Sequence, residues 1–231
     1  MTRKKKRKRP HIAADLSTLE GRQRANREMI WGDHGFLRAR FSNLHQVSSE
    51  MWRANQPSPK QIESHSAERG IRTIINLRGI STRGYYLLEK ETCEKLGITL
   101  IDYQVFSRDT PTKEAVLGTQ KLFASLDYPA LMHCKSGADR AGLMSALYLI
   151  ARKGQTVEVA KAQLSFKYLH VQQGKTGMLD WFLEAALKAG ANAPEAFFEW
   201  IESDYDRVNV KAGFLKARGR QVELDTLLGR E

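Results

Sequence analysis

One stretch constrains the fold more than any other: residues 131–142 read Leu-Met-His-Cys-Lys-Ser-Gly-Ala-Asp-Arg-Ala-Gly. An apolar run from Tyr128 to Met132 predicts a buried strand, and a long apolar stretch from Ala141 to Ala151 predicts a helix. The first N–H groups of a helix have no partner inside it, and the helix dipole favours negative charge there. The sequence therefore predicts a strand, a tight loop and a helix N-terminus that together bind an anion.

Three residues of this loop have the chemistry that phosphate binding and hydrolysis require. Gly137 allows the backbone to curl so that successive N–H groups converge on one point. Arg140 can present a bidentate fork to phosphate oxygens. Cys134, at the end of the strand, would lie at the floor of a positive field, which stabilises the thiolate over the thiol. Because the thiolate is the nucleophile, the sequence indicates cysteine-based chemistry on a phosphate.

The loop resembles the Cys-x5-Arg phosphate loop of the protein tyrosine phosphatase superfamily, most closely its dual-specificity branch, since His133, Cys134, Gly137 and Arg140 all fit. The resemblance implies a cysteine-dependent phosphomonoester hydrolase in which Cys134 forms a phospho-cysteine intermediate. The phosphate would be bound by the loop residues Lys135, Ser136, Gly137, Ala138, Asp139 and Arg140. One position departs from the family: Ala141 stands where a serine or threonine usually helps the cysteine to leave the phospho-enzyme. This departure implies slow turnover unless Ser136 or a water substitutes.

The general acid that protonates the leaving oxygen is predicted among three aspartates. Asp109 lies in the polar loop of residues 107–112, and the family generally carries its acid on a loop of this kind, so we prefer Asp109. Asp102 has a spacing from Cys134 that is common in the family, but it falls within a predicted strand. Asp139, inside the phosphate loop, could orient water, yet its charge would weaken the positive field.

Strand and helix patterns alternate along the central part of the chain. Ser58, Pro59 and Gln61 predict a capped helix start. The β-branched run of residues 71–77 predicts a buried strand, and residues 98–106 predict another. The alternation predicts an α/β fold with a central, mostly parallel sheet flanked by helices and the phosphate loop at the C-terminal end of a strand.

The chain is predicted to comprise four parts. These are a disordered basic tail (residues 1–14), an N-terminal extension (15–50), a dual-specificity phosphatase-like domain (51–190) and a helical C-terminal extension (191–231). Residues 51–57 resemble the segment at the entry to the family's domain and are predicted as an edge strand. Residues 157–166 have helical periodicity, and residues 214–228 predict a loosely attached helix.

The formal net charge is +11, and residues 3–9 contribute seven of these positive charges. Subtracting seven from eleven leaves +4 for the rest, so the high isoelectric point is mainly a property of the tail. Such a block could contact anionic lipid, nucleic acid or an acidic partner, or remain solvated. No apolar stretch of signal-peptide type follows it, and two cysteines suit a reducing compartment. We therefore expect a cytoplasmic protein, which the tail could bring to a membrane surface.

The substrate is indicated only by class. Lys135 and Arg108 could contact a second anionic group beside the scissile phosphate. Relatives with Cys-Lys-x-Gly loops include enzymes that act on phospholipid headgroups, so the resemblance implies a phosphoprotein or a phospholipid or inositol phosphate as substrate. It implies no metal or cofactor. Two alternatives stay open: a catalytically weak phosphate-binding module, which Ala141 would allow, and a thiol enzyme such as an arsenate reductase or sulfurtransferase. The sequence does not indicate the oligomeric state.

The sequence indicates the roles of several other polar and reactive residues less strongly. Asp33 and His34 predict a hydrogen-bonded turn that docks the N-terminal extension rather than a catalytic pair. Cys93 could trap oxidised Cys134 as a disulfide, as in a lipid-phosphatase branch that this position resembles, although a buried thiol without a redox role is the competing interpretation. Four residues of a predicted downstream helix could line the rim of the site, but an ordinary helix surface is the favoured interpretation: Gln163, Lys167, Tyr168 and His170.

Overall fold

A computed structural model describes residues 12–227. In this range a five-stranded sheet lies between two layers of helices, with the strand order β1–β2–β5–β3–β4. The strands are β1 (His45–Ser48), β2 (Met51–Ala54), β3 (Thr73–Asn76), β4 (Thr99–Asp102) and β5 (Ala130–His133). β1 pairs antiparallel with β2, whereas the other neighbouring strands are parallel. The predicted α/β fold with a mostly parallel sheet is therefore confirmed. The cations of the predicted basic tail, residues 3–9, lie outside the described residues.

The helices surround the sheet and continue beyond it toward the C-terminus. They are α1 (Leu19–Arg27), α2 (Gly35–Arg40), α3 (Pro59–Arg69), α4 (Gly84–Leu96), α5 (Lys113–Ser125), α6 (Asp139–Lys153), α7 (Val157–Ala160), α8 (Met178–Lys188), α9 (Pro194–Ser203) and α10 (Arg207–Leu227). A π-helical turn, Glu28–Gly32, continues α1, and short 3₁₀ turns are formed by Lys161–Gln163, Phe166–Tyr168 and Lys175–Gly177. None of the helices within residues 12–227 is long and apolar enough to cross a membrane.

The central strand β5 shows how the core is divided between the two faces of the sheet. Leu131 packs with Ile62 of α3 and Cys93 of α4 on one face. Met132, its neighbour, joins the larger core on the other face, which includes α5, α6, α8 and α9. Successive side chains of a strand point to opposite faces, and both of these are fully buried. β5, in which all four residues are buried and the first three are apolar, is therefore covered on both sides.

The register of the strands brings their C-terminal ends to one edge. His133 of β5 is level with Ala54 of β2 and Asn76 of β3, and Asn76 is level with Asp102 of β4. The segment after β5 therefore emerges beside the segments that follow β2, β3 and β4. In parallel sheets this edge is where ligands bind.

Local signals fix the helix boundaries where the sequence predicts them. The capping box at Ser58 is present, with Pro59 in the first turn of α3 and Gln61 closing the box. Gly70 and Gly97 end α3 and α4 with φ values of 63° and 66°. Only glycine adopts such a conformation without strain.

Three sequence predictions are wrong in extent or position. Residues 51–57 do not form an edge strand, because β1 pairs with the outer side of β2 and takes the edge. The strand predicted for residues 98–106 stops at Asp102, whose carboxylate turns to neighbouring side chains. The helix predicted for residues 157–166 ends at Ala160, and the carbonyl of Gln163 accepts a hydrogen bond from Arg53 instead of from a helical N–H.

The C-terminal extension is more firmly attached than predicted. Helix α10 begins at Arg207, earlier than expected, and Phe214 is buried against the ring of Trp181 in α8. Upstream, Phe197 and Ile201 of α9 are fully buried in the main core, as the apolar pattern of this segment requires. These contacts bring the start of α10 next to the loop that follows β4.

Candidate active site

The phosphate loop connects β5 to α6 and curls around the sulfur of Cys134. The N–H of Gly137 donates a hydrogen bond to Cys134 Sγ at 3.2 Å, and the thiol is 2% exposed. Gly137 has a φ of 75°, and a Cβ at this position would lie 2.8 Å from the backbone of Ala54. Arg140 follows in the first turn of α6 and donates to the carbonyl of Leu77 at 3.4 Å. The predicted nucleophile and the predicted phosphate-binding arginine therefore flank one loop.

A buried arginine from β2 supports this loop from below. Arg53 is fully buried, and its Nη2 donates to the carbonyls of Gly137 and Ala138, each at 2.8 Å. Its Nη1 donates to the carbonyl of Gln163 at 2.8 Å, and the guanidinium lies 4.1 Å from the ring centre of Tyr168. Burial lowers the pKa of Arg53 to about 10, although Cys134 and Tyr168 oppose the shift, so the side chain stays charged at neutral pH. Its charge adds to the positive field at the sulfur.

The N-terminal extension contacts the outer side of the loop. Asn43 Nδ2 donates to the carbonyl of Ser136 at 2.9 Å. Asp33 Oδ1 lies 3.5 Å from Lys135 Nζ, and both carboxylate oxygens accept from Arg78 at 2.8 Å. Burial would raise the pKa of Asp33, but Arg78 and Arg38 outweigh it and hold this pKa below its usual value. Asp33 is thus an ionised anchor that docks the extension, in the structural role that the sequence indicates.

Two of the candidate acids have different surroundings. Asp109 lines a cleft of about 410 Å³ together with Arg140, Arg108 and Arg207. Its carboxylate pairs with Arg207 at 2.6 Å and with Lys211 at 3.0 Å. Burial would raise the pKa of Asp109, but these cations outweigh it and lower the pKa. Asp109, the general acid preferred from the sequence, therefore shares a cleft with Arg140, but the neighbouring cations hold its carboxylate in the ionised form.

Asp102, the competing candidate for the acid, lies at the end of β4, and both of its carboxylate oxygens accept hydrogen bonds. Its Oδ1 accepts from Asn76 Nδ2 and its Oδ2 from the hydroxyl of Tyr86, both at 2.7 Å. These bonds tie Asp102 to β3 and α4. It is not among the residues that line the cleft beside Arg140 in the described part of the chain.

Comparison with known families decides between the classes of thiol chemistry. A family model described as "DSP-PTPase phosphatase fused to NAD+ Kinase" matches residues 39–180, a range that includes β1 to β5 and the phosphate loop. The chain belongs to this family. It is therefore a phosphatase of the protein tyrosine phosphatase superfamily, of the dual-specificity type, and this favours a hydrolase over the arsenate reductase and sulfurtransferase alternatives.

Several solved structures are similar to the phosphatase at low sequence identity. TpbA from P. aeruginosa is 15% identical with a TM-score of 0.50, and the match covers 64% of this chain and 88% of that one. The catalytic domain of the PP-IP phosphatase SIW14 from S. cerevisiae is 14% identical with a TM-score of 0.49, covering 64% and 90%. PTPMT1 is 15% identical with a TM-score of 0.46, covering 64% and 98%. A comparison with curated proteins gave no match.

Asp139, the third candidate for the acid, belongs to an array of three charged side chains that also includes His170 and Asp180. His170 Nδ1 lies 2.8 Å from Asp139 Oδ1, and its Nε2 lies 2.7 Å from Asp180 Oδ2. Burial opposes protonation of His170, but the two carboxylates outweigh it and raise its pKa to about 9. His170 is 3% exposed, so its predicted place on an ordinary helix surface is wrong. The imidazolium fixes Asp139, the first residue of α6, and neutralises its charge beside the phosphate loop.

This array makes a pH-dependent contribution to stability. The pKa of His170 is about 9 in the folded state against an ordinary 6.5, so its contribution is complete below about pH 6.5 and is lost as the pH rises through 9. Relative to His170→Gln, the native phosphatase should lose about 3 kcal/mol of unfolding free energy over this range, measured by urea titration. His34→Gln, at an exposed histidine, is the control. Equal pH profiles for native protein and His170→Gln would contradict this role.

Sequence reasoning missed Arg53 and Glu89, which support the ends of β2 and β5. Glu89 of α4 is fully buried, with Oε1 2.6 Å from His133 Nε2 and Oε2 accepting from Gln56 Nε2 at 2.9 Å. Arg53 interrupts a short strand whose other residues are apolar, Met51–Ala54, and a charge in such a place requires a partner, so this signal could have identified it. Glu89 is followed by Lys90 and Glu91, and the sequence around it carries no such signal.

The structure does not bring Cys93 to the active loop. Its carbonyl accepts from the N–H of Ile98, just before β4 begins, at the edge of the sheet opposite to the phosphate loop. Cys134 lies beyond the far end of β5, and four residues of strand span about 13 Å. A disulfide requires Cα atoms within about 7 Å. Burial also raises the pKa of Cys93 to about 12, so the proposed redox pair has no support in the fold.

Proposed function

We propose that the phosphatase hydrolyses phosphomonoesters with Cys134 as the nucleophile. The observation that carries the proposal is the loop backbone closed around Cys134 Sγ, with the Gly137 N–H directed at the sulfur and Arg140 next in the helix. An N–H and a nearby buried guanidinium stabilise a thiolate. Replacement of Cys134 by serine should therefore end turnover.

The reaction takes place in two displacements. The Cys134 sulfur attacks phosphorus, the S–P bond forms, and the P–O bond to the leaving group breaks with its electron pair on oxygen. That oxygen takes a proton from a carboxylic acid. A water oxygen then attacks phosphorus while the carboxylate takes a proton from that water, the S–P bond breaks with its electron pair on sulfur, the thiolate returns and inorganic phosphate leaves. The phosphate oxygens are held throughout by Arg140 and by the N–H groups of residues 135–140.

Asp109 is proposed as the acid because it shares the cleft with Arg140. In the structure its carboxylate is bound by Arg207 and Lys211, which favour the ionised form. An acid must carry a proton, so Asp109 must separate from these cations before it can protonate the leaving oxygen. The loop of residues 107–112 contains no helix or strand, and we propose that it makes this movement by releasing its contacts with the start of α10.

Asp109→Asn should slow the hydrolysis of aryl phosphates with poor leaving groups by on the order of a hundredfold. Aryl phosphates with good leaving groups should be affected far less, because such oxygens leave without a proton. The measurement is kcat across a series of aryl phosphates of rising leaving-group pKa. Asp102→Asn is the matched comparison, and a steeper leaving-group dependence in that variant would move the acid to Asp102.

The substrate is proposed as a phosphoprotein or a phospholipid or inositol phosphate. The cleft beside Arg140 supports both, because it is open and lined by Arg108 as a second cation. A TpbA structure contains pTyr, so the same fold holds a phosphorylated amino acid in that protein. We further propose a cytoplasmic enzyme whose basic residues 3–9 contact anionic surfaces.

A further inference from the structure

The C-terminal helix contributes to the wall of the active-site cleft. Arg207, the first residue of α10, lines the cleft that also contains Arg140. Its Nε donates to the carbonyl of Thr110 at 2.8 Å, and its Nη2 donates to Asp109 at 2.6 Å. Just before α10, the hydroxyl of Tyr205 donates to the carbonyl of Pro111 at 2.7 Å. The start of α10 is therefore fixed against the loop of residues 107–112.

Positive charge exceeds negative charge in this cleft. Arg108, Arg140 and Arg207 line it, and Lys211 reaches Asp109 from the next turn of α10. Asp109 is the one carboxylate among its lining residues in the described part of the chain. A single carboxylate against four cations leaves a net positive field that attracts a polyanion.

The two helix cations are placed to bind a ligand. Their side chains are 40% (Arg207) and 43% (Lys211) exposed, so solvent reaches both; Arg207 lines the cleft, and Lys211 contacts its lining residue Asp109. Both lie outside residues 39–180, the range that the family model matches. The family match therefore assigns them no role, and their function must come from the geometry of this chain.

We propose that α10 adds a second anion subsite to the active site, where Arg207 and Lys211, with Arg108, bind a second phosphate group of the substrate. The first phosphate is the one bound by Arg140 and the phosphate loop, so this inference rests on the proposed function. The substrate class is a small molecule or lipid headgroup that carries at least two phosphates. Arginine and lysine are the side chains that bind such groups most strongly.

The subsite gives the pairing of Asp109 a role. Its carboxylate lies against Arg207 and Lys211, the two cations that would bind the second phosphate. A second phosphate that binds these cations displaces Asp109, which then takes up a proton more readily because the two stabilising charges are engaged elsewhere. Substrates with one phosphate do not engage these cations, so Asp109 must separate from them without this help. The second phosphate thus provides affinity and makes Asp109 easier to protonate.

Phe106 indicates that the two phosphates are joined by an organic group. Its ring is 58% exposed and lines the same cleft as Arg140 and Arg207. An exposed aromatic ring in a cleft that is also lined by cations favours a sugar, inositol or nucleoside framework over inorganic polyphosphate, because such a framework can cover its apolar face.

The test compares kcat/KM for 4-nitrophenyl phosphate with kcat/KM for inositol bisphosphate, short-chain phosphatidylinositol bisphosphate and NADP⁺. Arg207→Gln and Lys211→Gln, singly and together, should lower the two-phosphate to one-phosphate ratio by roughly tenfold to a hundredfold in the double variant. Lys216→Gln removes the same charge from an exposed position of α10 and should leave the ratio unchanged. The inositol, lipid and nucleotide substrates identify the framework that the cleft accepts.

Each outcome supports or overturns the subsite. Equal losses on one-phosphate and two-phosphate substrates, or no change of the ratio, would overturn it. A doubly phosphorylated peptide is assayed in the same way, and a ratio that falls for this peptide alone would also overturn the subsite and assign the cleft to a phosphoprotein. If no phosphate ester is hydrolysed at all, the proposed function fails, but calorimetry still tests the subsite. In that case Lys211→Gln must weaken the binding of inositol bisphosphate more than that of inorganic phosphate.

Discussion

Cys134→Ser should lower kcat for 4-nitrophenyl phosphate by roughly four orders of magnitude or more, because a serine hydroxyl is not ionised at neutral pH and is a far weaker nucleophile. The substitution replaces one sulfur by oxygen at a site that is 2% exposed and leaves the loop N–H groups in place. Calorimetry should therefore still detect phosphate binding. The native enzyme, quenched with acid during turnover, should show one added phosphoryl group on the peptide that contains Cys134.

Cys93→Ser is the matched control for this experiment. Cys93 is equally buried but lies in the core on the other face of the sheet, remote from the phosphate loop. The variant should keep kcat within about twofold, with some loss of stability because a hydroxyl replaces a thiol in an apolar core. Turnover that survives in Cys134→Ser, or that disappears in Cys93→Ser alone, would rule out the assigned nucleophile.

The phosphate loop could be predicted from the sequence because its determinants are local. A strand end, Gly137 with a positive φ and a helix start that carries Arg140 lie within a few residues of one another. The same holds for the start of α3 at Ser58, where cap and helix are adjacent in the chain. In each case the residues that determine the backbone conformation are the same residues that form the phosphate loop or the helix cap.

The partners of the loop could not be predicted because they are distant in sequence. Arg53 lies 84 residues before Gly137 and 110 residues before Gln163, and His170 lies 31 residues after Asp139. No spacing rule relates such positions, and only the register of β2 with β5 brings Arg53 under the loop. The contact of Arg207 with Asp109 spans 98 residues and depends on the packing of α10.

Replacement of Arg53 shows how strongly the active loop depends on such a distant residue. Arg53→Met removes the guanidinium that donates hydrogen bonds to the carbonyls of Gly137, Ala138 and Gln163. These carbonyls are then left without their charged donor. The expected loss is about 3–5 kcal/mol of unfolding free energy, which corresponds to a fall of roughly 10 °C in Tm. Because the loop also loses its support, kcat should fall by at least about tenfold. Differential scanning calorimetry and steady-state kinetics measure the two effects.

Two further variants separate the role of the Arg53 fork from that of charge alone. Arg53→Lys keeps a cation but cannot bridge three carbonyls from one planar group, so it should restore only part of Tm and kcat. Arg72→Met removes an arginine whose side chain is 64% exposed and pairs with Asp127 at 3.3 Å, and it should cost less than about 1 kcal/mol. If Arg53→Met melted as the Arg72 variant does and bound phosphate like the native enzyme, the loop would hold its shape without Arg53. The positive field at Cys134 would then come from the backbone and Arg140.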